Sequence, residues 1–308
     1  MTPSSASGGS PSRLALAAGV SCYLIWGLVP LAFQVMGRLG ASPWEILAHR
    51  TVWAAPAALV FVLWARQGRA ALAAVRNPRT LGWLALSAAL VAANWSTFIW
   101  AVNSGRVLET SLGYYILPLI NMAAGALIFG ERLDRTGLVA IAFATAGVAL
   151  QAFALGHLPL ISLAVAVSFG GYGVVRKRVS AEAQTGLLVE CALLAVPGAL
   201  FILWLACRGE SHFGEGLGLS AWLVASGPIT AVPLVLFAWA ARRIPLSAMG
   251  FLQFIAPTMT FGIGVLQGEA LGGLRVLSFA LIWTGVAVFI LGAWRRARRA
   301  VQVLALSG

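Results

Sequence analysis

Ten long apolar runs, separated by short polar or basic segments, dominate the pattern of hydrophobic and polar positions along the chain. Each run is close to the ~20 apolar residues that a helix needs to cross a bilayer, and the runs are continuous rather than alternating as in barrel strands. The pattern therefore predicts ten transmembrane helices, called spans 1 to 10. Their predicted limits are 14–36, 45–64, 81–101, 108–129, 137–154, 158–175, 184–206, 219–240, 246–267 and 274–294.

The composition agrees with a polytopic membrane protein. The chain has 308 residues, of which 60% are hydrophobic and 10% are charged, and its mean hydropathy is +0.90. Residues 1–12 are rich in Ser, Gly and Pro, so we expect a disordered tail. The apolar run that follows is too long for the hydrophobic region of a signal peptide. After span 10 the chain ends in a basic tail, 295–308.

The second half of the chain repeats the first. The matches in spans 3 and 4 share one constant offset, and the matches in span 5 share an offset that is shorter by a single position. This divides the chain into a first five-helix repeat, 13–154, and a second, 155–294. Because five is odd, the second repeat enters the membrane inverted, an arrangement typical of secondary transporters. The clearest matches are Phe98, Trp100, Ala101, Pro118 and Gly147 with Phe237, Trp239, Ala240, Pro257 and Gly285.

The formal charge of +12 reflects membrane orientation rather than binding to nucleic acid. The basic residues form short clusters between the apolar runs. Sixteen of the 21 lie on the side of the two chain ends and five on the other side. Since cytoplasmic segments carry an excess of Lys and Arg, we expect both termini in the cytoplasm of a bacterial-type cell, with the chain in the inner membrane.

Two ionisable residues inside apolar spans occupy matching positions in the repeats. His49 in span 2 aligns with Glu190 in span 7 at the same offset that aligns Pro56 with Pro197. Such groups are costly in a membrane and are candidates for function, here for proton coupling. In one interpretation Glu45, His49 and Arg50 merely form an interfacial helix start. In the other, His49 and Arg50 face a central cavity and bind or gate an anionic group, while Glu190 is a cation site or proton carrier.

Polar and aromatic residues within the spans complete the candidate site. Asn94 and Gln253 each need a partner because lipid offers none, and Asn121 is expected to serve as an interhelical hydrogen-bonding group. Aromatic rings suit an amphipathic solute. Trp26 and Tyr172 lie deep in their spans and are paired by the repeat. The predicted substrate-binding set is Tyr23, Trp26, His49, Arg50, Asn94, Trp100, Tyr114, Tyr172, Trp239 and Gln253.

Several strings carry a resemblance to a known family. They include 45-EILAHR-50, 94-NW-95 with 98-FIWAVN-103, 130-GER-132, and 168-SF-169 with 172-YG-173. The chain resembles RarD-type proteins of the EamA branch of the drug/metabolite transporter superfamily over nearly its whole length. The resemblance implies an all-α, ten-helix carrier that works by alternating access. It also implies a central cavity lined by spans 1, 3, 4, 6, 8 and 9. Leu117 departs from the asparagine that often precedes the equivalent of Pro118.

Other function classes lack their motifs. No glycine-rich phosphate loop precedes Lys177, the only lysine, so an ATP-driven pump is excluded. The sequence has no pair of aspartates, no His-Glu-x-x-His motif and no Gly-x-Ser-x-Gly turn, so we expect no enzyme, no metal and no cofactor. The expected function is a secondary transporter, an exporter of small amphipathic metabolites or drugs. The alternative is a transporter-like sensor or accessory protein without flux. The oligomeric state is open, and a monomer is compatible with the pattern.

Overall fold

The computed structural model describes residues 13–103, 107–131, 133–155, 160–266 and 273–306. The predicted disordered tail, 1–12, lies outside these ranges. Every regular element within them is helical, which confirms the predicted all-α fold. The helices are α1 (Arg13–Arg38), α2 (Pro43–Trp64), α3 (Gly68–Arg76), α4 (Pro78–Asn103), α5 (Val107–Phe129), α6 (Arg135–Leu155), α7 (Leu160–Arg178), α8 (Ala183–Arg208), α9 (Leu217–Ala241), α10 (Leu246–Gln253), α11 (Ile255–Leu266) and α12 (Gly273–Leu306).

Nine of the helices in the described residues are long and apolar enough to cross a membrane, and 246–259 forms a shorter apolar helical segment. Spans 1 to 8 correspond to α1, α2, α4, α5, α6, α7, α8 and α9, and span 10 corresponds to α12. Apart from the C-terminal end of span 10, the predicted limits agree with these helices to within a few residues. The protein is therefore a multi-pass helical membrane protein.

Span 9 differs from the prediction of one continuous helix. It consists of α10 and α11, which are separated at Phe254. Pro257 has no backbone N–H, so the carbonyl of Gln253, one helical turn earlier, has no helical donor. The amide of Phe254 instead bonds the carbonyl of Phe251, at 3.4 Å, which tightens the turn. The interruption lies near the middle of the span.

Two helical segments extend beyond the predicted spans. The connection between spans 2 and 3 contains the short helix α3, in which Ala71 and Ala74 are buried while Arg69 and Arg76 are exposed. This helix is too short to resemble the long apolar runs from which the spans were predicted. The helix of span 10 continues through the basic tail to Leu306.

The main helix contacts recur when the two halves are exchanged. Helix α6 packs on its repeat counterpart α12, α2 packs on α8, and α5 packs on α10. Helix α1 packs on α9 and α11, and its counterpart α7 packs on α4 and α5, which are the counterparts of those two. Helices that the sequence repeat matches therefore make matching contacts in the described residues.

Two glycines show this symmetry at atomic detail. A Cβ added at Gly147 would lie 2.7 Å from the carbonyl oxygen of Ser278, and one added at Gly285 would lie 2.5 Å from that of Ala140. The offset from Gly147 to Gly285 is the same as the offset from Ala140 to Ser278. Spans 5 and 10 thus make the same close backbone contact twice. Below, the face at which α1 begins is called the terminal face, and the other the opposite face.

Candidate functional site

Five aromatic side chains from both halves meet between the repeats. The ring centroids of neighbouring members lie 5.3 to 5.8 Å apart, a range in which tilted and edge-to-face rings attract. Helix α1 supplies two members, α7 two and α9 one. We call this set the aromatic cluster. Its members are Tyr23, Trp26, Phe169, Tyr172 and Phe237.

Arg50 lies on the side of the aromatic cluster nearer the opposite face. Its guanidinium carbon lies 4.1 Å from the ring centre of Trp95 and 5.3 Å from that of Phe33. Its Nε donates to Thr230 Oγ1 at 3.2 Å, and Tyr114 is a further neighbour. Helices α1, α2, α4, α5 and α9 thus contribute to one partly buried site. No carboxylate in the described residues lies within 4 Å of this charge.

Asn94 joins the first half to the second. Its Nδ2 donates to the carbonyl of Val165 at 2.9 Å and to Ser168 Oγ at 3.3 Å. The hydroxyl of Tyr114 donates to Asn94 Oδ1 at 3.5 Å. The buried amide is therefore fixed between α4, α5 and α7, and it orients a hydroxyl that neighbours Arg50.

Gln253 lies at the interruption of span 9 with incomplete hydrogen bonding. Its Oε1 accepts from Asn121 Nδ2 at 2.6 Å, so Asn121 forms the interhelical bond expected of it. The remaining atoms of the two amides, Gln253 Nε2 and Asn121 Oδ1, are buried without a protein partner in the described residues. The nearby hydroxyl of Tyr23 is also buried and unpartnered. This is a polar group of atoms inside the bundle, where unpaired polar atoms are costly.

Glu190 forms a buried ion pair. Its Oε1 lies 3.4 Å from Nη1 of Arg176, and the hydroxyl of Tyr172 donates to its Oε2 at 3.5 Å. Arg176 Nη2 also donates to the carbonyl of Ala183 at 3.1 Å. A side chain at Gly186 would overlap the guanidinium, so that glycine makes room for the pair. Through Tyr172 the pair touches the aromatic cluster.

His49 lies apart from Arg50 although the two are adjacent in sequence. Neighbouring residues point about 100° apart on a helix, and here only Arg50 reaches the site beside Trp95. The His49 ring stacks on Phe213 with a centroid distance of 4.9 Å, and its Nδ1 accepts from Trp53 Nε1 at 3.2 Å. Its Nε2 is buried without a partner in the described residues.

Glu45 ties the connection between α8 and α9 to the start of α2. The carboxylate is 1% exposed and accepts from the backbone amide of His212 at 2.7 Å. The other oxygen lies 2.9 Å from His212 Nδ1, and this hydrogen bond raises the pKa of His212. Ser42 caps the helix by accepting from the Glu45 amide. Glu45 therefore lies in the first turn of a capped helix, and its carboxylate also binds His212.

Glu131 joins the halves at the terminal face. It accepts from Lys177 Nζ and from the amide of Leu246, each at 2.7 Å, and from the amide of Ser247 at 3.0 Å. Partial burial acts to raise the pKa of Glu131, but these hydrogen bonds outweigh it, and the pKa is lowered. The carboxylate thereby caps α10 and connects it to the ends of α5 and α7. We call this contact the Glu131 clamp.

Besides His49, two predicted site residues lie outside the site around Arg50. Trp100 is 49% exposed and lines a surface depression with Trp44 and Leu160, because its position on α4 faces another direction from that of Trp95. Trp239 packs at the edge of the core near the terminal face, under Arg243, whose guanidinium carbon lies 4.2 Å from the ring centre.

Some site residues were not predicted. The sequence patterns do not single out Trp95, Phe169, Thr230 or Arg176 as site residues. Phe237 carried a usable signal, since it is the repeat partner of Phe98, which contacts Tyr114. Among the described residues no three His, Cys, Asp or Glu side chains are grouped so as to hold a metal ion.

Comparisons with known proteins agree with this architecture. Residues 13–153 match the EamA-like transporter family. The chain is 42% identical to an uncharacterized transporter of Pseudomonas aeruginosa, over 92% of this chain and 95% of that protein. It is 40% identical to protein RarD of Escherichia coli, over 94% and 97%. It is 31% identical to the chloramphenicol-sensitive protein RarD of P. aeruginosa, over 82% and 85%.

A solved structure supports the fold alone. The protein in a solved crystal structure is 23% identical to this chain. It superimposes with a TM-score of 0.70 over 92% of this chain and 99% of its own. The relatives near 40% identity agree with the RarD-type resemblance of the motifs. The chain belongs to the EamA-like transporter family.

Proposed function

We propose that the chain is a secondary transporter that exports small amphipathic metabolites or drugs across the inner membrane by alternating access. Both termini face the cytoplasm in this proposal. The family membership supports transport, and the excess of basic residues at the terminal face supports the orientation. The substrate path runs between the two repeats.

The observation that carries this proposal is the meeting of polar and aromatic side chains from both halves around Arg50 and Asn94. Arg50 bonds Thr230 across the two halves, and Asn94 bonds Ser168. An amphipathic solute needs polar groups and rings within one site, and both are present here. Inverted-repeat carriers bind their solutes at such an interface, beside interrupted helices like α10 and α11.

The Glu131 clamp supports the alternating part of the proposal. It holds α5, α7 and α10 together at the terminal face, while the Arg50 site lies nearer the opposite face. A carrier that alternates must release this contact when it opens toward the cytoplasm. The fully buried rings of Tyr172 and Phe237 close the same path.

For energy coupling we propose Glu190 as the proton carrier, with His49 as the second candidate. Glu190 contacts the aromatic cluster through Tyr172, so a change in its charge alters a group next to the substrate path. Protonation would weaken its ion pair with Arg176. His49 contributes an unpartnered Nε2 near the opposite face.

Flux measurements in liposomes test the proposal. Purified protein is reconstituted into liposomes loaded with a metabolite mixture that includes amino acids and chloramphenicol, with and without a pH gradient. Mass spectrometry then identifies which solutes leave. We expect selective release that the gradient accelerates, loss of that acceleration in Glu190→Gln, and its retention in Glu210→Gln, whose side chain is about half exposed. If no solute crosses faster than in protein-free liposomes, the transport proposal is wrong.

A further inference from the structure

Arg50 carries a charge that the described part of the protein does not neutralise. A guanidinium has five N–H donors, and only its Nε has a hydrogen-bond partner here, Thr230 Oγ1 at 3.2 Å. Thr230 itself donates to the carbonyl of Ser226, so its oxygen accepts from Arg50 rather than donating to a ligand. Charged residues within membrane spans normally pair with one another or with backbone carbonyls, and they often mark substrate paths.

Arg176 shows what a structural arginine looks like in the same protein. It is 0% exposed, pairs with Glu190 and donates to the carbonyl of Ala183. The chain thus supplies a carboxylate and a carbonyl to one intramembrane arginine and neither to the other. Arg176 is packed and its charge is also compensated by Glu190, whereas Arg50 is packed without an opposite charge nearby in the described part of the chain. Packing alone therefore does not explain Arg50.

The neighbours of Arg50 leave its planar edge free for a ligand. Trp95 lies against the guanidinium at 4.1 Å and Phe33 at 5.3 Å, contacts in which the ring face attracts the cation. A ring on the face of a guanidinium does not occupy the N–H groups in its plane. Those N–H groups form the fork that binds both oxygens of a carboxylate.

We propose that Arg50 binds the carboxylate of an amphipathic monocarboxylate solute, whose apolar or aromatic body packs on Trp95 and the aromatic cluster. This inference rests on the proposed transport function and names its substrate class. One guanidinium balances one negative charge, so a single carboxylate suffices to neutralise Arg50. The carboxylate solute reaches Arg50 from the opposite face when it binds, or it leaves through that face when it is released.

A pair of ligands that differ only in charge tests the site without any substitution. Phenylacetate and phenylacetamide have the same ring and nearly the same shape. Binding to the wild-type protein in phosphatidylcholine nanodiscs is measured by calorimetry. We expect phenylacetate to bind at least tenfold more tightly than phenylacetamide. Equal affinities for phenylacetate and phenylacetamide overturn the proposal. It is also overturned if neither phenylacetate nor an aliphatic monocarboxylate such as octanoate binds.

Variants then locate the effect. Arg50→Gln should abolish the tenfold preference, and Arg50→Lys, which keeps the charge but loses the fork, should reduce it. Arg208→Gln is the matched control, because Arg208 is exposed beyond the site and pairs with Glu210. A preference that survives unchanged in Arg50→Gln overturns the assignment to this residue. If Arg50→Gln does not fold, Arg50→Lys and Trp95→Leu, both expected to weaken phenylacetate binding, decide instead.

Two further arms separate the possible occupants and the two proposals. In the first arm, phosphatidylglycerol is added to the nanodiscs. If it displaces phenylacetate while carboxylates do not compete with one another, the site binds a lipid headgroup and the proposal is wrong. In liposomes, flux of neutral solutes that persists in Arg50→Gln, with no carboxylate preference in the wild type, contradicts this site but keeps transport. Carboxylate binding without any flux keeps the site and contradicts transport.

Discussion

At the scale of single residues, two glycines set how closely spans 5 and 10 approach. At Gly147 and Gly285 the backbone of one helix lies where a side chain on the other would stand. Small residues of this kind allow close packing of membrane helices, which lack a hydrophobic driving force between them. The constant offset between spans 5 and 10 was visible in the sequence because these glycines recur in order with their neighbours.

Replacing either glycine should destabilise the protein. Gly147→Val and Gly285→Val place a side chain against the carbonyl of Ser278 or Ala140, and overpacking of this kind costs about 1–3 kcal/mol. We expect a lower midpoint of thermal unfolding in detergent for both variants. Gly82→Ala is the control, since nothing lies within 4 Å of the added Cβ. An unchanged midpoint in both valine variants would show that the close contact is not important.

The sequence predicts which residues belong to the site better than it predicts the helix face on which each side chain lies. Arg50, Asn94 and Tyr114 were predicted and lie together in the site. Trp100 was predicted because an aromatic ring suits an amphipathic solute, and it lies on another face of α4. The pairing of Glu190 with Arg176 could not be predicted, because it depends on the relative position of α7 and α8, which packing determines.

At the scale of elements, the two prolines matched by the repeat behave differently. Pro118 lies within the continuous helix α5, whereas Pro257 follows the interruption between α10 and α11. Each proline removes one helical donor, but whether the helix then breaks depends on its neighbours. The interruption was therefore not predictable from the local sequence.

The contact between Glu45 and His212 should make stability depend on pH. The pKa of His212 is raised by the hydrogen bond to Glu45, so the charged pair stabilises the fold fully below the ordinary pKa of 6.5. The contribution is lost as the pH rises through the raised pKa. Because the imidazole side chain is 39% exposed, solvent screens the pair and the effect is ~1 kcal/mol or less.

Thermal unfolding of the wild type and His212→Gln at several pH values checks this. We expect the midpoint of thermal unfolding to be higher for the wild type than for the variant at pH 6. This difference should shrink by pH 8.5. Glu210→Gln, in the same connection but outside the contact, should show no such trend. A difference that is the same at both pH values would mean that the imidazole charge contributes nothing.

At the scale of the whole molecule, the main helix contacts recur when the two halves are exchanged. Span number, helical class and the repeat follow from apolar run length and from residues that recur in order, so these features were predictable. The position of each span between its neighbours depends on packing between segments that are distant in sequence. It had to come from the structure or from the family resemblance.

The orientation gives a prediction for the whole molecule. In a Cys207→Ser background, whose other cysteines are buried, Glu215→Cys should react with a membrane-impermeant maleimide in intact spheroplasts. Arg79→Cys, which is exposed at the terminal face, should react only after lysis. The reason is the excess of basic residues at the terminal face. The reverse labelling pattern would place both termini outside the cytoplasm.

The central claim, a carrier that alternates between two inverted halves, is tested most directly by counterflow. Liposomes containing the protein are loaded with an unlabelled solute that crosses in the flux assay, and a labelled trace of the same solute is added outside. A carrier with one alternating site should accumulate the label transiently above its equilibrium level. An approach to equilibrium without overshoot, at a rate independent of the internal solute, would contradict the account.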